Sequence, residues 1–440
     1  MFTWFPVRSH CSIFHYVNPV NLKVLKSFSV YVFTMFFTAG VSFATFSLLT
    51  RHLNQFDYGI INLYNSTSIL LVAFISCGVQ FVLNVDYFKL PPEQYRKRFS
   101  NSIVIPVGIF LLLTVGFLVF NYPIRKLIKG DFFFTAVLPL TCLLILVNDI
   151  VLGLIRNREQ HFLFAGYSII KSIIEVSLAV LFIVFLGWEW EGRIASSFIT
   201  LIVACSIAFL LFKRWGFLTR DISIAEIKPV FKYGLPFIPE RLAVFFMFYS
   251  DRFFIDYYEG TDDVGLYSAG AQIAVILNLI CHSLNSTFYP YFYKRLAKDK
   301  PDYAGLRKGV LAFGGIASAT MLILIVATPF IFKYFVGSHF RPGQKYAIYL
   351  IIGFFFWAVY NMLLPFLLHN KKNKQIMAIS IAGMFLSIGL NFYNVKHFGA
   401  LGATYTSIIV FGTMSVLTLF AVQRIYNLKD IFLGRNSNDA

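Results

Sequence analysis

Long apolar segments separated by short polar ones run through almost the whole chain of 440 residues. A helix needs about 20 apolar residues to cross a hydrocarbon core about 30 Å thick. Twelve segments approach or exceed that length: 27–48, 60–83, 102–121, 132–155, 163–186, 194–212, 233–256, 264–288, 310–332, 345–368, 376–393 and 400–421. The pattern predicts an all-α polytopic membrane protein with twelve transmembrane helices.

The composition supports this class and excludes soluble folds. Hydrophobic residues make up 58% of the chain and charged residues only 13%, whereas soluble domains carry about 25% charged residues. The formal net charge of +17 then reflects basic loops that face membrane lipids, and we expect no nucleic acid partner.

The distribution of basic residues between the loops predicts the orientation. Loops on the side of the two termini contain 26 Lys and Arg residues, and the alternate loops contain 8. Because cytoplasmic loops are enriched in Lys and Arg, we expect both termini in the cytoplasm.

The longest polar stretch divides the spans into two sets of six. The predicted organisation is an N-terminal segment, an N-lobe, a cytoplasmic linker, a C-lobe and a tail, at 1–26, 27–212, 213–232, 233–421 and 422–440. Repeats with an even number of spans have the same orientation in the membrane and are related by an axis along its normal.

Two sequence matches indicate that the lobes are such repeats. The segment Asp57-Tyr58-Gly59-Ile60 resembles Asp263-Val264-Gly265-Leu266 at an offset of 206 residues, and Gly192-Arg193 corresponds to Gly399-Ala400 at an offset of 207. Chance recurrence of short glycine motifs is the alternative. Two parallel six-helix lobes around a central cavity indicate a transporter.

Ionisable residues within the predicted seventh span indicate a functional face. Glu240, Arg241, Asp251 and Arg252 all lie there, although each charge costs roughly 2.5–3.5 kcal/mol at bilayer depth. On a continuous helix, an eleven-residue step returns to within about 20° of the same face. Glu240 would then share a face with Asp251, and Arg241 with Arg252. Salt bridges to neighbouring helices are the alternative interpretation.

Four further charges lie in or beside other spans. Lys171 and Glu175 are spaced to neutralise each other on one helical face. Asp149 has no local partner and either caps a polar layer or takes part in cation coupling. Arg51 could extend to the interface or contact substrate. Several guanidinium groups in one cavity favour an anionic, phosphorylated substrate, because arginine binds phosphate bidentately.

Sequence motifs around these residues resemble the polysaccharide transporter family. Gly234-Leu235-Pro236, Asp251-Arg252 and Val264-Gly265-Leu266-Tyr267-Ser268 occur in the family's order, and Arg51-His52-Leu53 followed by Tyr58-Gly59 is similar to its opening segment. The family contains the Wzx-type flippases of O-antigen and capsule synthesis, in the multidrug/oligosaccharidyl-lipid/polysaccharide exporter superfamily.

The resemblance implies a flippase that moves a polyprenyl-diphosphate-linked oligosaccharide across the bacterial inner membrane by alternating access. Candidate diphosphate-binding cations are Arg241 and Arg252, then Lys171 and Arg51. Candidate groups that orient these cations, or bind a coupling H+ or Na+, are Glu240, Asp251, Glu175 and Asp149. No cofactor or metal is expected, and polymerases and glycosyltransferases of the same pathway are candidate partners.

Two other functions remain open at this point. One is a cation-coupled multidrug exporter of the same architecture. The other is a membrane-embedded glycan polymerase or glycosyltransferase, against which we note the short outer loop at 333–344 and the lack of an aspartate-any-aspartate motif.

Overall fold

The computed structural model describes residues 22–219, 221–297 and 302–426, and within these ranges the regular secondary structure is entirely helical. The N-lobe begins with two long helices and a run of shorter ones: α1 (Leu22–His52), α2 (Gln55–Ser76), α3 (Val79–Lys89), α4 (Pro92–Ser102), α5 (Val104–Val119) and α6 (Asn121–Ile128). It continues with α7 (Phe132–Asn157), α8 (His161–Ala179), a π-helical turn (Val180–Phe185) and α9 (Trp190–Arg214).

The C-lobe begins with three short helices and ends with five long ones. They are α10 (Ile224–Gly234), α11 (Phe237–Phe248), α12 (Asp251–Tyr258), α13 (Thr261–Leu296), α14 (Tyr303–Tyr334), α15 (Gln344–His369), α16 (Asn373–Phe398) and α17 (Ala400–Gln423). A 3-10 helix (Ser338–Gly343) joins α14 to α15.

Eleven helical segments of the described chain are long and apolar enough to cross a membrane. They coincide with eleven of the twelve predicted spans and confirm the polytopic all-α class. The exception is the seventh span, which is broken into α11 and α12.

Each lobe has its own apolar core, and two helices lie at the seam. Most of one buried cluster comes from α1–α9, and most of the other comes from α11–α17. Leu63 of α2 nevertheless belongs to the C-lobe cluster, whereas Ala269 and Ile273 of α13 belong to the N-lobe cluster. The helices α2 and α13 therefore form the main contact between the lobes.

Glycines make that contact reciprocal. A Cβ atom on Gly59 would lie 2.1 Å from the carbonyl oxygen of Thr261, and one on Gly265 would lie 2.0 Å from the carbonyl oxygen of Gln55. Gly59 and Gly265 are 206 positions apart, and so are Gln55 and Thr261. The same pair of positions is therefore in contact twice, with the lobes exchanged. This is the geometry of two repeats related by a twofold axis.

Further contacts close the same end of the lobe interface. Gly337 donates its backbone N–H to Thr50 Oγ1 at 3.2 Å, and the ring of Tyr58 meets that of Phe340 edge-on at 5.5 Å. This is the end that the charge distribution assigns to the periplasm. The lobes are packed together there.

The predicted second span is wrong at its C-terminal end, because α2 stops at Ser76 instead of continuing to residue 83. Cys77 and Gly78 have left-handed backbone conformations, with φ of 41° and 70°. A Cβ atom on Gly78 would lie 2.5 Å from the carbonyl oxygen of Gly234. The turn therefore allows the N-lobe to approach the end of α10.

The predicted polar linker contains a helix that is docked on the N-lobe. The Asn101 side chain of α4 donates to the Asp221 carbonyl at 2.9 Å and accepts from the Ser223 N–H at 2.6 Å. Arg98 pairs with Glu226 of α10. Through these bonds the middle of the linker is fixed to α4.

Candidate functional site

The helix that carries four of the candidate residues is interrupted. Tyr249 and Ser250 separate α11 from α12, and the carbonyl groups around the break have other donors. Ser387 of α16 donates to the Phe246 carbonyl at 2.9 Å, and Arg252 donates to the Phe248 carbonyl at 3.0 Å. The predicted single charged face along the seventh span is therefore wrong, because the eleven-residue step assumed a continuous helix.

Asp251 and Arg252 form a closed, buried group on α12. Arg252 Nη1 lies 2.9 Å from Asp251 Oδ1, and the Tyr267 hydroxyl donates to Asp251 Oδ2. The two charged residues are only 6% and 8% exposed. Both charges are thus compensated within the protein, and neither extends to the interface.

Arg241 and Glu240 lie in a different environment on α11. Both are exposed, and the Arg241 guanidinium lies over the Phe81 ring of α3 with its carbon 4.8 Å from the ring centre. Phe81 in turn stacks on Phe237, with ring centres 4.7 Å apart. Aromatic contacts hold the Arg241 guanidinium in place and leave its donors free of a carboxylate.

The predicted pairing of Lys171 with Glu175 is wrong. Glu175 Oε1 instead accepts from Arg193 Nη2 of α9 at 2.7 Å and from Ser197 Oγ at 3.3 Å. A bond between helices replaces the i, i+4 pair because Arg193 projects inward from the first turn of α9. Its other terminal nitrogen, Nη1, is buried without a hydrogen-bond partner.

Asp149 connects the remaining cations. Lys171 on α8 and Arg241 on α11 are both close enough to the Asp149 carboxylate of α7 to attract it. In the part of the chain that the structure describes, neither cation has a carboxylate oxygen within 4.0 Å. We call Lys171 and Arg241 the free cations.

Two polar pockets adjoin this region. One, of about 150 Å³, has Lys171, Glu175 and Arg193 in its wall together with Asn65 and Ser197. The other, of about 220 Å³, shares Asn65, Glu175 and Arg193 and reaches Gln272 of α13. Arg193 thus faces both pockets at the junction between the lobes.

Arg51 lies apart from the pockets. It ends α1 at the predicted periplasmic side, is exposed, and donates to the Tyr334 carbonyl at 2.6 Å. Among the candidate cations, Lys171 and Arg241 both act on Asp149, whereas Arg51 and Arg252 lie elsewhere.

Sequence reasoning missed Arg193 and the polar face of α2. The predicted sixth span begins at residue 194 and leaves Arg193 outside it, whereas α9 begins at Trp190. Asn62, Asn65 and Ser68 recur at three-residue spacing within an apolar segment. That spacing was the available signal, since it places amides and hydroxyls on one helical face.

Comparison with known proteins agrees with this architecture. A relative from Shigella flexneri described as "Putative O-antigen transporter" is 24% identical over 309 residues, which cover 67% of this chain and 71% of that protein. The family described as MatE matches residues 236–393.

Solved structures share the fold at low sequence identity. A lipid II flippase MurJ in an inward closed conformation has a TM-score of 0.71 and 15% identity, with 92% of this chain and 90% of that chain covered. An inward-facing multidrug resistance MATE transporter has a TM-score of 0.66 and 13% identity, with 89% and 96% covered.

The family described as "Polysaccharide biosynthesis protein" matches residues 24–295. The match starts in α1 and ends in the last turn of α13, and so it includes both polar pockets and both arginines of the interrupted helix. Because more than half of the chain is matched, the chain belongs to the polysaccharide biosynthesis protein family and is a transporter of the multidrug/oligosaccharidyl-lipid/polysaccharide exporter superfamily.

Proposed function

We propose that the protein is a flippase that moves a polyprenyl-diphosphate-linked oligosaccharide across the bacterial inner membrane, with both termini in the cytoplasm. The family match, the O-antigen transporter relative and the fold shared with a lipid II flippase support this substrate class. The pathway's polymerase and glycosyltransferases are the proposed partners.

The observation that carries the proposal is the pair of free cations. A lysine and an arginine at membrane depth are costly, and Lys171 and Arg241 lack a close carboxylate in the described part of the chain. A diphosphate would supply the direct negatively charged partner that neither cation has within 4.0 Å among the described residues. The Arg241 guanidinium can bind it through two parallel hydrogen bonds.

Arg193 adds a third contact that the structure makes available. Its Nη2 is held by Glu175, while Nη1 is buried without a partner at the pocket wall. A phosphate or acidic sugar oxygen would satisfy Nη1. Glu175 and Asp149 orient these cations, and they are the proposed sites for a coupling H+ or Na+.

Sugar hydroxyls require acceptors, and α13 offers them. The side-chain oxygens of Asn278 and Asn285 are buried without a hydrogen-bond partner, and a seven-residue step places them on one face. The polar pockets of about 150 and 220 Å³ are smaller than the ~300–1,000 Å³ of a site for a drug-sized ligand. Each would therefore hold part of the headgroup, while the prenyl chain stays in lipid.

Alternating access requires the closed end of the lobe interface to open. The reciprocal contacts of Gly59 and Gly265 join the lobes there. Transport would separate these contacts in one state and, in another state, the contacts of Gly78 with Gly234 and of Phe81 with Phe237 at the other end of α2, so that the headgroup leaves on the other side.

A multidrug exporter is the second candidate, favoured by the MatE match over residues 236–393. A cavity for lipophilic cations would gain from carboxylates and lose from Arg241 and Lys171. Removing these cations would improve drug export, whereas it would impair diphosphate binding.

The test uses a strain in which this protein alone serves its glycan pathway. Hydrogen bonds to charged groups contribute about 1.5–3 kcal/mol, so Arg241→Ala should reduce surface glycan by about tenfold or more. Arg241→Lys should recover only part, because lysine cannot form the bidentate contact. Membrane protein level is measured in parallel.

Arg125→Ala is the control, since Arg125 is an exposed arginine on α6 that, unlike Arg241, does not act on Asp149. It should leave surface glycan unchanged. Wild-type glycan in both Arg241→Ala and Lys171→Ala at normal protein level would refute the proposal, and increased resistance to lipophilic cations in these variants would favour drug export.

A further inference from the structure

A basic pocket lies at the end of the N-lobe opposite the contacts of Thr50 with Gly337 and of Tyr58 with Phe340. It occupies about 710 Å³ where α7 ends at Asn157, α8 begins at His161 and α9 ends at Arg214. Because these helices are membrane spans, their ends lie at the bilayer interface. Trp215 lines the pocket, and tryptophan is typical of that depth.

The pocket contains hydrogen-bonding groups without partners. Arg158 Nε and Gln160 Oε1 are both buried and have no hydrogen bond in the described structure. The Arg158 guanidinium carbon lies 4.8 Å from the centre of the Trp215 ring, which fixes the side chain in position. A buried donor and a buried acceptor left unsatisfied each cost about 1–3 kcal/mol, so the pocket is suited to a ligand that supplies both.

Charge defines the ligand further. Arg158 and Arg214 contribute two positive charges to the wall, and Glu159 contributes one negative charge. Phe162, at the edge, is 77% exposed. An exposed phenylalanine at the interface contacts lipid chains. The pocket therefore combines a net positive charge with an apolar edge, as basic pockets between spans do when they bind phospholipid headgroups.

We propose that this pocket binds an anionic glycerophospholipid of the surrounding membrane. The lipid phosphate accepts from Arg158 Nε and interacts with Arg214. A headgroup hydroxyl, as in phosphatidylglycerol, donates to Gln160 Oε1, and the acyl chains pass along Phe162. The site is separate from the transport pockets, and the proposal does not depend on the transported substrate.

The experiment measures binding to the purified full-length protein. Thermal unfolding in detergent is followed while phosphatidylglycerol, or phosphatidylcholine with the same acyl chains, is added. Phosphatidylglycerol should raise the Tm of the wild type with a saturating dependence, and phosphatidylcholine should not. Arg158→Gln and, independently, Arg214→Gln should weaken the apparent affinity for phosphatidylglycerol by about tenfold.

Arg156→Gln is the matched control. It removes the same charge, and Arg156 is exposed and absent from the pocket wall. It should bind phosphatidylglycerol as the wild type does. An equal loss in Arg156→Gln would show unspecific surface attraction and overturn the proposal. Equal stabilisation of the wild type by both lipids would also overturn it.

Soluble sn-glycerol 3-phosphate distinguishes a lipid from a free phosphate compound. At millimolar concentration it should neither raise the Tm nor displace phosphatidylglycerol, because it lacks the chains that lie along Phe162. Saturable stabilisation by sn-glycerol 3-phosphate, lost in Arg158→Gln, would assign the pocket to a soluble anion instead.

Discussion

Arg241 and Arg252 lie eleven residues apart in the same broken span and have opposite environments. Arg252 is 8% exposed, with its guanidinium bonded to Asp251 and to a backbone carbonyl. Arg241 is exposed, and its guanidinium lies over the Phe81 ring. The charge of Arg252 is compensated by a direct ion pair, whereas the charge of Arg241 has no carboxylate within 4.0 Å in the described structure and stays available under the proposed function.

The difference originates in the break at Tyr249 and Ser250. Arg252 on α12 lies near the lobe seam, where its guanidinium carbon is 5.5 Å from the centre of the Tyr249 ring and 5.8 Å from that of Tyr267. Arg241 remains on α11, across from α3. Two residues that a continuous helix would have aligned therefore have different environments.

The strongest test of the comparison removes Arg252. Arg252→Ala leaves the Asp251 carboxylate buried with the Tyr267 hydroxyl as its remaining side-chain partner, and breaking a buried pair in this way costs about 3–5 kcal/mol. We expect a large fall in membrane protein level and in Tm in detergent, whereas Arg241→Ala should change neither.

A double variant separates the loss of the pair from the loss of one partner. Asp251→Asn combined with Arg252→Met leaves no unpaired charge and should recover much of the protein level lost in Arg252→Ala. A wild-type Tm in Arg252→Ala would show that Arg252, like Arg241, is not required for stability.

Glu175 and Arg193 are the intermediate case, because their side chains are 26% and 20% exposed. Glu175→Ala leaves Arg193 without its carboxylate and should lower the free energy of unfolding by about 1–3 kcal/mol. Adding Arg193→Ala should recover most of this loss, and adding Lys171→Ala should not. If Glu175→Ala were rescued by Lys171→Ala and not by Arg193→Ala, Lys171 would be the partner of Glu175, as the sequence predicts. The measurement is Tm in detergent for the single and double variants.

The smallest effect is expected from the ring that positions Arg241. Phe81→Leu keeps the apolar volume but removes a cation–π contact worth about 0.5–1 kcal/mol. Transport should fall by about two- to fivefold, at unchanged protein level and Tm. A loss as large as that of Arg241→Ala would mean that Phe81 itself contacts substrate, and no loss would mean that Arg241 needs no positioning. Surface glycan measured against protein level decides between these outcomes.

The spans were predictable from the sequence because length and apolarity alone determine them. The break in the seventh span was not, since Tyr249 and Ser250 are tolerated within helices and the bond that compensates the break comes from Ser387, far away in the chain. Lys171 and Arg241 were predicted as candidates, but their separation from Arg51 and Arg252 depends on packing between helices. The inward role of Arg193 depended on where α9 begins, and helix boundaries are the least reliable part of such predictions.

The linker shows the same limit in another form. Its polar composition predicts a connection between the lobes, and a proline is typical of the end of a helix or a turn. The structure places Pro229 inside α10, and Asn101 fixes the preceding residues to α4. Those bonds join residues about 120 positions apart, a distance over which local sequence patterns carry no information.

The reciprocal glycine contacts have an evolutionary consequence. In a symmetric dimer each residue at the interface occurs twice, so one substitution changes two contacts together. Gly59 with Thr261, and Gly265 with Gln55, keep the form of such an interface within a single chain. The contacts have the form expected of a duplicated half that pairs with a copy of itself. Arg193 and Lys171 belong to one lobe only, so the symmetry of the seam does not extend to the charged residues of the polar pocket.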